Sequence, residues 1–137
     1  EIKESGKNKY YSFKNNSNNL LLFQQLEIEK TKIFLKEHTN LNPFIDECKK
    51  LNFPIVIFGS FAKNNETKNS DLDILVIGKT QDKLPEHICP IKTHKISVKS
   101  ENLSIIKKKV LYSQIKYKHI TINGFNFMTG YLNELPK

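Results

Sequence analysis

Two short apolar runs constrain the fold of this chain more than any other feature. Residues 54–58 and 72–77 are rich in β-branched side chains and are bounded by turn residues, a pattern typical of buried strands. The first run ends directly in Gly59-Ser60, and Asp71 and Asp73 lie at the start of the second. Since side chains alternate between the two faces of a strand, both carboxylates are predicted to project from the same side.

This carboxylate pair predicts a cation site. Two neighbouring carboxylates repel each other, and burying either one without compensation is costly. Oxygen ligands at the end of a rigid strand suit Mg²⁺ or Mn²⁺, and Mg²⁺ commonly binds through one or two carboxylates plus the phosphates of a substrate. Asp71 and Asp73 are therefore candidate metal ligands and catalytic residues.

The Gly-Ser turn predicts an anion site beside that cation. Gly59 lets the backbone approach a ligand closely, and the amides and hydroxyl of Ser60 can hold phosphate oxygens. A helix that starts near Phe61 would favour the same anion through its N-terminal dipole. A metal ion beside an anchored triphosphate equips a protein for phosphoryl or nucleotidyl transfer, in which positioning and charge neutralisation do most of the catalysis.

The sequence Gly59-Ser60-Phe61-Ala62-Lys63, followed after a polar loop by Asn69-Ser70-Asp71-Leu72-Asp73, resembles the signature of the DNA polymerase β-like nucleotidyltransferase superfamily, in particular its minimal nucleotidyltransferase branch. The resemblance covers residues 50–137. It implies an α/β (α+β) fold in which helices pack on a small mixed β-sheet. It also implies a site in which Gly59, Ser60 and Lys63 bind the nucleotide and Asp71 and Asp73 bind the metal.

The chain departs from the family at a third carboxylate, which active relatives carry on the next strand. In residues 94–99 the apolar positions Ile96 and Val98 predict that Ser97 stands where the acid is expected. A serine hydroxyl can form hydrogen bonds but cannot act as a carboxylate base. Two functions therefore stay open: nucleotidyl transfer from a nucleoside triphosphate to a protein or nucleic-acid acceptor, or a catalytically impaired nucleotide-binding module that regulates a winged-helix DNA-binding domain.

The remainder of the chain predicts three regions. Residues 1–19 form an N-terminal β-hairpin arm or the remnant of a winged-helix wing, because the turn at Gly6 is followed by an aromatic strand-like run. Residues 20–51 form a helical linker, and residues 52–137 form the nucleotidyltransferase domain. Since the chain begins at Glu1, we expect it to be a fragment of a longer protein.

Local signals set the expected limits of several helices. Asn18 or Asn19 is expected to cap a helix that ends at Glu37, and Asn42-Pro43 is expected to start a second helix that ends near Leu51. The first helix is predicted to pack through a shared apolar face, formed by Phe23, Leu26, Ile33 and Phe34. Two further helices are predicted over residues 100–113 and 125–135.

Composition limits the partners. The net charge is +8, and every one of the 22 basic residues is lysine. Lysine attracts phosphate as a point charge, whereas bidentate reading of guanine is mostly done by arginine. We therefore expect contact with nucleotides and with nucleic-acid phosphates, and the family resemblance adds a helical partner protein, as in antitoxins of this branch. A homodimer through the first helix stays open.

No run of about 18 apolar residues predicts a membrane span, and no signal peptide is visible. The two cysteines, Cys48 and Cys89, lie in dissimilar contexts and predict free thiols in a reducing cytoplasm. Together with His87 and His94, Cys89 has a spacing that matches no closed structural zinc site.

Overall fold

Two β-sheets and six α-helices make up the part of the chain that the computed structural model describes, residues 2–5, 8–11, 17–78, 83–106 and 110–132. The strands are β1 (Ile2–Ser5), β2 (Asn8–Tyr11), β3 (Ile55–Phe58), β4 (Leu72–Ile77), β5 (Thr93–Val98) and β6 (Ile120–Asn123). The helices are α1 (Ser17–Glu37), α2 (Asn42–Cys48), α3 (Gly59–Ala62), α4 (Leu103–Ile106), α5 (Val110–Tyr117) and α6 (Phe125–Leu132). Short 3₁₀ turns cover Thr39–Leu41, Glu86–Ile88 and Ser100–Asn102. None of the described helices combines the length and apolar character needed to cross a bilayer.

The larger sheet is mixed and has the strand order β5-β4-β3-β6. Strands β4 and β5 are parallel, whereas β3 is antiparallel to both of its neighbours. This confirms the expected α/β fold with a small mixed sheet. One consequence matters for function: β3 ends at the same edge of the sheet at which β4, β5 and β6 begin.

Helices cover both faces of the larger sheet. On one face, Phe34 of α1 and Phe44 of α2 pack with Ile57 and Ile74 of the central strands. On the other face, residues of α5 and α6 such as Tyr112 and Met128 pack against the opposite sides of the same strands. Because both faces are buried, β3 and β4 consist almost wholly of apolar residues, which is why the two runs were recognisable.

The smaller sheet consists of β1 and β2, which pair antiparallel with Ile2 opposite Tyr11 and Ser5 opposite Asn8. This confirms the predicted N-terminal hairpin. The turn residue Gly6 lies outside the described residues. The division of the chain into residues 1–19, 20–51 and 52–137 stays a prediction.

A buried polar cluster ties α1 to β6. The Glu27 carboxylate accepts hydrogen bonds from His119 Nε2 at 2.7 Å and Thr121 Oγ1 at 3.2 Å, and pairs with Lys30 Nζ at 2.9 Å. Burial by itself would raise the pKa of Glu27, but the hydrogen bonds and charges of His119 and Lys30 outweigh it, so the pKa lies below its ordinary value. Thr31 Oγ1 adds a 2.6 Å hydrogen bond to the Thr121 carbonyl oxygen. The network fixes the helix on the edge strand.

Several expected details of the first two helices are wrong. Helix α1 already begins at Ser17, so Asn18 and Asn19 lie in its first turn rather than at its cap. Leu26 and Ile33 are 47% and 55% exposed and do not share the buried face with Phe34. The apolar residues of α1 therefore reach further around the helix than its buried stripe.

The later helices also differ from expectation. Helix α2 is preceded by a 3₁₀ turn and includes Asn42, which does not cap it. The helix predicted over residues 100–113 is a 3₁₀ turn followed by α4 and α5, and residues 107–109 lie outside the described residues. In α6, Met128 and Tyr131 are buried, whereas Phe127 is 41% exposed.

Candidate functional site

The Gly-Ser turn and the carboxylate strand meet at one edge of the sheet. The register of β3 and β4 pairs Phe58 with Asp73, so Gly59 follows directly beside that carboxylate. The φ angle of Gly59 is +73°, and a Cβ at this position would collide with Asp73 Oδ2. Only glycine combines this left-handed backbone with so close an approach. The two motifs, separate in sequence, therefore lie against each other at one edge of the sheet.

Asp71 and Asp73 project from one side of β4. Leu72 and Ile74 are fully buried, whereas the two aspartates are partly exposed. This alternation agrees with the expected geometry of a strand whose other face is core. Both carboxylates therefore lie at the start of β4, partly exposed and within reach of a ligand from solvent.

Ser60 and Lys63 lie on the short helix α3 and at its end. Ser60 is partly exposed and Lys63 is exposed. The Lys63 amide donates a 3.1 Å hydrogen bond to the Gly59 carbonyl oxygen, which closes the helix. In the described part of the chain, neither the Ser60 hydroxyl nor the Lys63 ammonium has a polar side-chain partner. Both groups are therefore available to a bound anion.

The expectation that Ser97 stands beside the carboxylates is wrong. The parallel register pairs Asp73 with His94 and places Ser97 opposite Val76, three residues further along and on the other face. His94 is 61% exposed, and its Nδ1 lies 3.1 Å from Asp73 Oδ1. The residue next to the aspartate pair is therefore an imidazole. Alternation within β5 could not reveal this, because it does not specify how far β5 is shifted along β4.

The donors at this edge fit a hard divalent cation. Asp71 and Asp73 supply carboxylate oxygens, and Mg²⁺ is typically held by one or two carboxylates with phosphate oxygens and waters as its other ligands. Across residues 19–78, 83–105 and 110–132, no three His, Cys, Asp or Glu side chains are placed to share an ion. Two carboxylates by themselves make up only part of the shell of such an ion, to which the phosphate oxygens of a ligand would add.

The loop between the two motifs is tied to the end of α1, a contact that the sequence did not predict. His38 Nε2 lies 2.7 Å from Glu66 Oε1, and His38 Nδ1 lies 2.9 Å from the Phe34 carbonyl oxygen. Since both neighbours are acceptors, the imidazole forms both hydrogen bonds only when doubly protonated. Burial would raise the pKa of Glu66, but the hydrogen bond from His38 contributes to a net lowering.

The loop also has internal order. The Thr67 amide donates a 2.8 Å hydrogen bond to Ser70 Oγ. Together with the His38 contact, this turn fixes the segment that leads into Asp71. The one sequence signal for the contact between His38 and Glu66 was a histidine just after a predicted helix. Its partner lies 28 residues further along the chain and was not predictable from spacing.

The family model described as nucleotidyltransferase domain matches residues 41–134. That range includes both motifs, the whole larger sheet and the helices α2 to α6. Searches of curated proteins and of solved structures gave no match.

Proposed function

This chain belongs to the nucleotidyltransferase domain family, and we propose that it binds a nucleoside triphosphate with Mg²⁺ or Mn²⁺ and transfers a nucleotidyl group to a protein or nucleic-acid acceptor. The family implies a nucleoside triphosphate substrate and suggests transferase activity. One observation carries the proposal: Gly59 of the phosphate-type turn lies directly against Asp73 of the carboxylate pair. That contact brings an anion site and a cation site together.

Each residue of the site has a distinct task in this proposal. The backbone at Gly59 and the hydroxyl of Ser60 hold the triphosphate, and the exposed Lys63 ammonium neutralises charge that develops on it. Asp71 and Asp73 hold the divalent ion, which supplies Lewis-acid polarisation of the phosphate oxygens when bound. His94 holds Asp73 in place through the 3.1 Å contact.

The proposed reaction is a substitution at the α-phosphorus. An acceptor hydroxyl oxygen forms a bond to that phosphorus, the bond to the bridging oxygen breaks, and pyrophosphate leaves. In this proposal the acceptor proton passes to solvent. The protein contributes mainly orientation and charge stabilisation, which dominate phosphoryl-transfer catalysis.

A second function is favoured by one observation: an imidazole lies beside Asp73, on the strand where the family resemblance implies a third acid. In this alternative the domain binds a nucleotide without transferring it and regulates an attached winged-helix domain or a helical partner protein. With one carboxylate fewer, the metal site carries less negative charge. The affinity for a second metal ion is therefore weakened more than the affinity for the nucleotide.

Labelled nucleotides separate the two functions. The protein is incubated with Mg²⁺ and cell extract, and with nucleoside triphosphate labelled either on the α- or on the γ-phosphorus. Transfer is expected to leave α-label, but not γ-label, on a protein or an RNA, and Asp71→Asn with Asp73→Asn should abolish it. If wild-type protein binds the nucleotide yet transfers no α-label, the regulatory function is correct and the transfer proposal is not.

A further inference from the structure

A cavity of about 300 Å³ lies beside the proposed phosphate site. Its walls come from three parts of the chain: the C-terminal half of α1, the segment from Phe61 to Asn64, and the turn from Tyr117 to Ile120 that leads into β6. The volume is sufficient for a small ring system but not for a folded segment of another protein. We therefore asked which small group the cavity suits.

The cavity and the carboxylates share one edge of the sheet. Ile120, at the start of β6, pairs with Ile57, and the next residue of β3, Phe58, pairs with Asp73. Helix α3 separates the cavity from the carboxylates. Helix α3 has only four residues, so with a rise of about 1.5 Å per residue it spans roughly 6 Å. A nucleotide whose phosphates contact the start of α3 can therefore extend its other end towards the cavity.

Aromatic rings form much of the cavity wall. Phe34 and Phe61 are buried, and the His38 ring stacks on Phe34 with a centroid distance of 4.3 Å. Tyr117, by contrast, is 76% exposed at the cavity mouth. Because the exposed tyrosine ring and the buried aromatic rings line the same cavity, they offer aromatic surfaces on which a planar group can stack.

Three polar side chains at the cavity are available to a ligand. Within the described residues, the side chains of Asn64, Glu37 and Lys118 form no hydrogen bond or ion pair. The Lys118 ammonium lies 5.8 Å from the centroid of the Tyr117 ring and leaves the other face of that ring to a ligand. Asn64 has a φ angle of 58°, the left-handed conformation that directly follows α3. The buried His119 is not available in this way, because its ring nitrogens face the Ile115 carbonyl oxygen and the Glu27 carboxylate.

We propose that this cavity binds the base of the nucleotide, a role that rests on the proposed nucleotidyltransferase function and specifies its substrate. The ring stacks between the aromatic wall and Tyr117, and the amide of Asn64 donates and accepts at the edge of the base. The ionised Glu37 carboxylate can only accept, so it selects bases that present an amino group. Adenine, guanine and cytosine carry such a group, whereas the one base donor of uracil, N3–H, lies between two carbonyl oxygens that the carboxylate repels.

The test compares nucleotides with a ligand that has no base. Binding of ATP, GTP, CTP, UTP and inorganic tripolyphosphate is measured by calorimetry with Mg²⁺. The amino-bearing nucleotide that fits is expected to bind about tenfold more tightly than tripolyphosphate, the effect of one stacked base. Tyr117→Ala should remove most of this difference and Glu37→Gln should remove the discrimination against UTP. Neither change should alter tripolyphosphate binding.

A matched control is available on the same helix. Glu29→Gln makes the same acid-to-amide change at an exposed α1 residue that does not line the cavity, and it should leave nucleotide binding unchanged. The proposal is wrong if Tyr117→Ala and Glu37→Gln bind every nucleotide as wild type does, with unchanged thermal melting. It is also wrong if nucleotides bind no more tightly than tripolyphosphate.

Free nucleosides make the cavity testable apart from the phosphate site. Amide NMR shifts at Asn64, Tyr117 and Ile120 are expected on titration with adenosine, guanosine or cytidine without Mg²⁺. If no triphosphate binds but these shifts appear, the proposed transfer function fails while the base site stands. The same titration is repeated with a tyrosine whose amino and carboxyl groups are both capped. If the shifts appear with this tyrosine and not with nucleosides, the cavity binds an acceptor side chain and the base proposal is refuted.

Discussion

Replacing Gly59 by alanine is the sharpest perturbation of the site. The added Cβ collides with Asp73 Oδ2, and the residue has a φ of +73°, where a non-glycine residue is strained. A left-handed alanine costs roughly 1–2 kcal/mol, and displacing Asp73 also disturbs its contact with His94. We expect a loss of about 2–3 kcal/mol in the free energy of unfolding, since strained positions of this kind cost that order of energy. Binding of Mg²⁺–nucleotide should fall at least as much, because both halves of the site move.

Gly130 provides the control for that change. It lies within α6, and a Cβ there meets no atom within 4 Å. Gly130→Ala should therefore stabilise the protein by about 0.5–1 kcal/mol, the usual advantage of alanine over glycine within a helix. Urea unfolding and nucleotide calorimetry measure both variants. Our reasoning is refuted if Gly59→Ala unfolds at the wild-type urea concentration and binds nucleotide normally.

Three further predictions concern the sheet edge, the α1 contact and the thiols. His94→Asp should tighten Mg²⁺ binding, because it places a third carboxylate beside the pair, whereas Ser97→Asp lies on the other face and should not. Equal effects of the two variants in Mg²⁺ titrations would contradict the register. Because the pKa of Glu27 is lowered in the folded state, its ionised form stabilises the protein above pH 4.5 and this contribution disappears as pH falls below that value. Glu27→Gln should therefore reduce the fall in the free energy of unfolding at acid pH, as measured by urea unfolding. An unchanged pH dependence would refute this. Burial raises the pKa of the fully buried Cys48 thiol to about 12. At pH 8 a thiol reagent should therefore label the half-buried Cys89 of the native protein but not Cys48. Rapid labelling of both cysteines, detected by mass spectrometry, would contradict this prediction.

The parts of the fold that were predictable are those with strong local signals. Strand β4 matches the apolar run at residues 72–77, and β3 begins one residue inside the other run. The face on which Asp71 and Asp73 stand follows from alternation alone, since Leu72 and Ile74 had to be buried. Glycine followed by serine at a strand end was sufficient to predict the turn after β3, which the structure places against Asp73.

The register between parallel strands was not predictable. The alternation of Ile96 and Val98 is compatible with more than one shift of β5 along β4, so the sequence suggested Ser97 where the structure has His94. Choosing between them requires the packing of Ile96 and Val98 against Leu75 and Ile77, a contact between distant parts of the chain.

The cavity depends on contacts of the same long-range kind. It needs α1, α3 and the turn before β6 to meet, and no local pattern in any of the three specifies the others. The exposure of Leu26 and Ile33 was missed for a related reason: apolar periodicity predicts a face but does not specify how much of it a neighbouring element covers.

The central claim is that Gly59, Ser60, Asp71 and Asp73 form one metal-dependent nucleotide site. Calorimetry of ATP and GTP binding, with Mg²⁺ and with EDTA, tests it on wild type and on Asp71→Asn with Asp73→Asn. We predict binding in Mg²⁺ that is lost in EDTA and in the double variant, while the variant keeps the wild-type circular dichroism spectrum. Equal binding by wild type and variant, or no binding by wild type in Mg²⁺, would contradict the account.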